Sequence, residues 1–233
     1  DRAQCIDDLF VAHWGRAVLL VPTPVHAQMR REELVRKSGR PGLWGRGVYE
    51  FTEFAVAVLA AEGHRVNRMD DFARKLLLDA CITSLAPRSP QVRALLSENG
   101  TRCSSGTLRH LLRVITQIKQ AALEPADFRQ RLGPRTNPTD AVVAEVYEAY
   151  QSALKTADAY DVPGIYWAAE ASCHAGRPRL LEGVDALLLD GFTDFTPSQS
   201  RFVGALAPHV AVLAFGIVHD PAPSRCDLFR ISE

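Results

Sequence analysis

Apolar residues along this chain follow two rhythms, and where the rhythm changes it predicts where one element gives way to the next. Residues 5–13 set apolar side chains at helical spacing, and Ala17-Val18-Leu19-Leu20-Val21 is then a continuous apolar run closed by Pro22-Thr23-Pro24. A continuous run fits a strand covered on both faces, as in a parallel sheet flanked by helices. Residues 25–35 read as helix, 39–47 as a Gly/Pro-rich turn and Val48-Tyr49-Glu50-Phe51 as a short strand. Thr52 is expected to cap a helix that runs to Ala61 and stops at Gly63. Over 70–85 and 107–122 apolar residues recur every three or four positions, the pattern of amphipathic helices. The stretch 123–140 carries prolines and arginines and reads as loop, and 141–157 and 162–172 return to helix.

After a turn at 176–178, Val184-Asp185-Ala186-Leu187-Leu188-Leu189-Asp190 reads as a second buried strand, this one ending in an acid. Thr196-Pro197-Ser198 opens a helix with proline at its first position, running to Leu206, and His209-Val210-Ala211-Val212-Leu213-Ala214-Phe215 is a third buried strand. Strands at both ends with helices between them predict an α/β sheet, residues 1–65 and 172–233, interrupted by an all-helical insertion over 66–171.

Composition narrows the function classes. At 233 residues and 47% hydrophobic the chain can bury a substantial core. Lys+Arg 27 balances Asp+Glu 27, so no global positive field draws in a polyanion, and any nucleic-acid contact has to be local. The only lysines are Lys37, Lys75, Lys119 and Lys155, an arginine bias read as compositional. Five scattered cysteines with no Cys-x-x-Cys give neither a disulfide framework nor a zinc site, and seven histidines form no H-E-x-x-H. No apolar run approaches the roughly 20 residues of a membrane span, and no basic leader opens the chain, so a cytoplasmic compartment is expected.

Asp190 at the carboxyl end of an apolar strand fits the second motif of P-loop proteins, where a carboxylate holds the magnesium on a nucleotide. Its neighbourhood, Leu189-Asp190-Gly191-Phe192-Thr193-Asp194-Phe195-Thr196-Pro197-Ser198-Gln199, resembles the D-G-F-x-x-F-T-P-x-Q of AddB-type proteins, relatives of the superfamily 1 UvrD-like helicases. Leu19-Leu20-Val21-Pro22-Thr23 is similar to motif Ia and Glu50-Phe51 to motif Ib. Tyr147-Glu148-Ala149-Tyr150 with Tyr160-Asp161 resembles the segment closing the helical 1B insertion, and Val212 to Phe215 with Asp220, Leu228 and Phe229 stands where motif III stands. The resemblance implies a P-loop NTPase-like parallel sheet (helicase 1A-like) with a 1B-like helical insertion. It also implies ATP and magnesium as the parent's cofactors, DNA as its ligand and an AddA-type helicase/nuclease subunit as its partner in double-strand-break processing. Asp190, Gly191 and Gln199 become the degenerate nucleotide and magnesium set, and Pro22, Thr23, His26 and Phe51 the candidates for DNA contact.

Three departures shape the functional expectation. No G-x-x-x-x-G-K-[ST] phosphate loop occurs, and since the family places it before the first helix, truncation ahead of Asp1 is expected over loss. Gly191 stands where active helicases carry the glutamate that polarises water, and losing a positioned base costs about 10²–10⁴ in rate. Glu50 replaces the motif Ib threonine and sets a negative charge where relatives touch DNA. The fragment is therefore expected to be an ATPase-inactive DNA-tracking or structural module. The competing readings are a nucleotide hydrolase whose loop lies upstream and a protein-interaction scaffold without a DNA role.

Overall fold

The computed structural model describes residues 2–40, 42–43, 47–96, 102–134 and 136–216. Asp220, Leu228 and Phe229, assigned to motif III by resemblance, lie outside the described residues. The chain folds as two compact units, one of Asp1–Arg65 with Ala168–Glu233 and one of Val66–Trp167.

Among the described residues the first unit is built on four parallel strands, β1 (Ala17–Val21), β2 (Val48–Glu50), β3 (Ala186–Asp190) and β4 (Val212–Gly216), in the order β2-β1-β3-β4. The fold is α/β with a parallel sheet, the class expected of a helicase-like P-loop domain. Every residue of β1 and β3 is buried, as their unbroken apolar runs require. Ala17, Leu19 and Val21 of β1 and Ala186 and Leu188 of β3 share one face and pack with Ile6 and Phe10 of α1 (Arg2–Ala12) and Ala27 and Leu34 of α2 (Pro24–Ser38). The alternate residues, Val18, Leu20, Leu187 and Leu189, are equally buried, each such side chain contributing about 1.5–3 kcal/mol.

Two boundaries differ from the sequence expectation for local reasons. Phe51 opens α3 (Phe51–Ala61), and the cap is Glu50, whose carboxylate accepts from the Glu53 amide at 2.9 Å and from the Thr52 hydroxyl at 3.0 Å; Thr52 itself lies inside the helix. β4 is shorter than the apolar run suggests, because Ala207–His209 form a 3₁₀ turn, and it is only partly buried, with Phe215 45% exposed. A run of hydrophobic residues identifies the strand; it does not say whether that strand is paired on both sides.

The second unit holds α4 (Asp71–Leu85), α5 (Pro90–Arg93), α6 (Ser105–Gln120), α7 (Pro125–Leu132) and α8 (Pro138–Thr156), and α9 (Val162–Ala175) begins in it. Leu78, Ile82, Leu111, Ile115, Val146 and Tyr147 lie in one apolar core. Helix α7 occupies part of the stretch expected to be loop. Pro125 sits at its start, Asp127 in its first turn and Arg129 and Arg131 in its last, all favourable to the helix dipole, while no residue of it is buried, so no apolar stripe announced it. Asp161 and Lys119, both wholly buried, form an ion pair at 2.6 Å, and Asp161 also accepts from the Gly164 amide at the start of α9. Among the described residues no helix is long and apolar enough to cross a membrane.

Candidate functional site

β1 and β3 are neighbours, paired from Ala17 with Ala186 to Leu20 with Leu189, so their carboxyl ends finish side by side. The chain leaves β1 through Pro22 and leaves β3 through Gly191, whose φ of 81° is left-handed. A Cβ at Gly191 would sit 3.5 Å from Pro22 Cδ, so the two exits touch, and Asp190 and Pro22-Thr23 stand at the same end of the sheet, where the resemblance expects a crevice.

Asp190 is 6% exposed, and its carboxylate meets a cation that the protein supplies: Oδ2 lies 3.5 Å from Arg30 Nη2, on α2. The same guanidinium donates to Asp7 Oδ1, on α1, and through Nη1 to Glu33 Oε2 at 2.8 Å. Lys37 donates to the other oxygen of Asp7, which is 1% exposed. Arg30, Glu33 and Lys37 fall three and four residues apart, hence on one face of α2. Burial alone would lower the pKa of Arg30, but the bonds to Glu33 and Asp7 and the fields of Asp7 and Asp190 outweigh it and raise it. The guanidinium is therefore a permanent charge. Gly216, beside Asp190 in β4, leaves room for the carboxylate, since a Cβ there would lie 2.5 Å from Asp190 Oδ1.

The remaining candidates divide between the crevice rim and the interior. Thr23 is the exposed N-cap of α2 and accepts from the His26 amide at 3.2 Å; His26 is exposed one turn along. Phe51 is 1% exposed, packed against Phe192, Phe195 and Phe202, so its ring offers no face to a base. Phe192 and Phe195 are half-buried and stacked, with centroids 4.7 Å apart, and present aromatic surface at the strand exit to which the sequence pattern assigned no role. Gln199 forms a capping box at the start of α10 (Pro197–Leu206): its Oε1 accepts from the Thr196 amide at 2.9 Å, and its own amide donates to Thr196 Oγ1. Asp194 is exposed and accepts from Thr193. The carboxylate of Glu50 is engaged in capping α3.

Sequence reasoning missed Asp7, Arg30 and Lys37. The 30-33-37 spacing of charges on one helix face was visible, but nothing in the linear sequence ties position 7 or 190 to it. Phe192 and Phe195 belong to the D-G-F-x-x-F spacing, and that spacing was the available signal.

A family model described as the UvrD/REP helicase N-terminal domain matches residues 27–221. The chain belongs to that family. No curated protein matches it. Membership makes this a helicase-family module, a class that in general uses ATP and magnesium and binds DNA. The matched span includes Arg30, Phe51, Asp190, Gly191 and Gln199 and begins after Pro22, Thr23 and His26.

In this helicase-family domain the described residues do not fit a magnesium–nucleotide. The carboxylate at the end of β3 is already met by a guanidinium, the next residue has no side chain, and Gln199 is turned to its own helix cap. Among the described residues no group of three or more His, Cys, Asp or Glu could hold a metal ion.

Proposed function

We propose that this domain is the helicase-like N-terminal region of an AddB-type subunit in a DNA double-strand-break-processing helicase/nuclease, and that it serves as a DNA-tracking or structural module that does not hydrolyse ATP. Residues 1–65 with 172–233 form its 1A-like core and 66–171 its 1B-like insertion. An AddA-type subunit is its partner. The observation that supports the reading is Arg30 at Asp190: the carboxylate to which the resemblance gives a magnesium ion lies 3.5 Å from a fixed single charge of the protein's own. Gly191 agrees with it, since no carboxylate follows to polarise water. The D-G-F-x-x-F-T-P-x-Q sequence over 190–199 supports the AddB-type assignment.

At the crevice, the Thr23 hydroxyl and the His26 ring can meet phosphate, and the Phe192–Phe195 pair offers a surface for a base. Phosphate turnover by the full-length subunit, alone and with its partner, tests the reading. The expected result is no turnover by the subunit alone at saturating magnesium–ATP. Turnover that vanishes in Asp190→Ala would establish instead a hydrolase whose phosphate loop lies upstream. Failure to bind single-stranded DNA at low salt would favour a scaffold with no DNA role.

A further inference from the structure

Within the helical unit, α4 and α6 pack side by side and leave a groove of about 450 Å³ between them. Its lining is cationic: Arg74 and Lys75 come from α4, Arg109 and Arg113 from α6. Among the described residues that line it Asp71 is the only carboxylate, and Arg74 takes it at 3.2 Å. Arg74 is fixed further by Thr116 Oγ1 at 2.7 Å and the Tyr150 hydroxyl at 3.2 Å, so it is a preset charge at the groove floor. Lys75, Arg109 and Arg113 face the groove with no carboxylate of its lining left for them. A second cavity of about 420 Å³ shares Asp71 and Arg74 and adds Arg68 and Asp70, so its charges balance and the cationic excess is confined to the α4–α6 groove.

In a chain whose formal net charge is +0, a concentration of this kind is a local feature. Arg109 and Arg113 are four residues apart, about 6 Å along the helix axis, and both are exposed. On α4, Phe72, 69% exposed, lies one helical turn before Lys75, and Leu76, 54% exposed, one turn after Phe72; both are outside the groove's lining, beside its Lys75 end. A cationic track with an aromatic at its edge provides the two halves of single-strand recognition, charge for the phosphates and a ring for unstacked bases. A duplex keeps its bases stacked and has no use for the ring, and an acidic peptide has no bases to lay on it.

We infer that the α4–α6 groove is a binding site for single-stranded DNA, with Lys75, Arg109 and Arg113 on phosphates and Phe72 against a base. The groove is built by the helical unit alone and shares no residue with the crevice at the end of β1 and β3, so it stands or falls independently of that crevice.

Fluorescence anisotropy of a labelled oligothymidylate of about 20 nucleotides, a length covering the usual single-strand site sizes, titrated with the full-length protein across a salt series, tests this. In Arg109→Gln/Arg113→Gln the slope of log affinity against log salt should become shallower by about 1.4, which is about 0.7 for each phosphate no longer neutralised. Affinity at the lowest salt should fall about tenfold or more. Phe72→Ala should lose about tenfold in affinity with its slope unchanged. All three positions are exposed, so the core is untouched. Wild-type slope and affinity in the double variant would overturn the inference, and would do so whether or not Thr23→Ala/His26→Ala weakens binding at the crevice. So would absence of wild-type binding at low salt, equal affinity for a duplex of the same length, or displacement of the oligonucleotide by poly-glutamate at matched charge.

Discussion

Replacing Arg30 by methionine tests whether its charge holds Asp190. The guanidinium is 11% exposed and lies between two buried carboxylates, Asp7 and Asp190. At 3.5 Å the attraction to Asp190 is about 5 kcal/mol at an effective dielectric of about 20, part of which offsets the desolvation of both groups. Removing one partner of a buried pair costs about 3–5 kcal/mol, and the methionine keeps most of the apolar stem, so the loss is electrostatic. Asp7 retains Lys37, whose side chain is 46% exposed, and the penalty therefore falls mainly on Asp190. Neutralising that acid as well should restore stability: Arg30→Met/Asp190→Asn is expected to be about 2 kcal/mol more stable than Arg30→Met alone. Urea unfolding of the wild type, both single variants and the double variant gives the coupling energy directly. A coupling within about 0.5 kcal/mol of zero would mean that the proximity of the two groups carries no energy, and the argument that Arg30 stands in for a metal would fall with it.

Gly216→Ala forces a Cβ to 2.5 Å from Asp190 Oδ1 and 3.3 Å from Ile6 Cγ1, and should cost about 1–3 kcal/mol in chemical denaturation; an unchanged midpoint would show that the carboxylate moves freely. Gly191→Glu restores the helicase glutamate in name only, because φ is 81° there: it should cost about 1–2 kcal/mol and give no phosphate release from ATP, and measurable hydrolysis would refute this reasoning. The Cys173 thiol, 2% exposed, is pushed up to about 12 by burial first and by the fields of Glu170 and Glu62 second. A folded value above the unfolded value near 9 gives stability that is complete below pH 9 and lost as pH rises toward 12, at up to about 1.4 kcal/mol per unit. Cys173→Ala should remove that part of the alkaline decline, and parallel wild-type and variant curves between pH 9 and 12 would contradict it.

The central strands and the long helices were legible because each follows from one local pattern. Ala17–Val21 and Ala186–Asp190 are wholly apolar up to their last residue, and the burial of both confirms what an unbroken run means. Thr196-Pro197 with Gln199 three residues beyond the cap fixed the start of α10. What escaped depends on partners distant in sequence. β4 has the same apolar density as β3 but is only partly buried, and no property of its own residues distinguishes the two. α7 has no buried residue and meets the core through half-buried Phe128, whose ring lies edge-on to Tyr147 of α8. In the site, Asp190 was legible as a strand-end acid, but its cation comes from a helix 160 positions earlier, and the core position of Phe51 depends on Phe192, Phe195 and Phe202.

The sign and placement of charge decide between the readings of this domain more sharply than its fold does. A parallel sheet with an acid at a strand end is compatible with hydrolysis, with passive DNA contact and with plain scaffolding. A site meant for a magnesium–nucleotide needs negative charge held in reserve, because the incoming metal has to find uncompensated oxygen. Here the buried acids Asp7 and Asp190 already face Arg30 and Lys37, and a further divalent ion would meet a guanidinium whose charge is permanent. The α4–α6 groove shows the opposite imbalance, with four cations against one acid. Positive charge in excess of the lining's one carboxylate is what the proposed strand-binding groove requires, and it agrees with the proposal of a domain that holds a strand and does not hydrolyse a nucleotide.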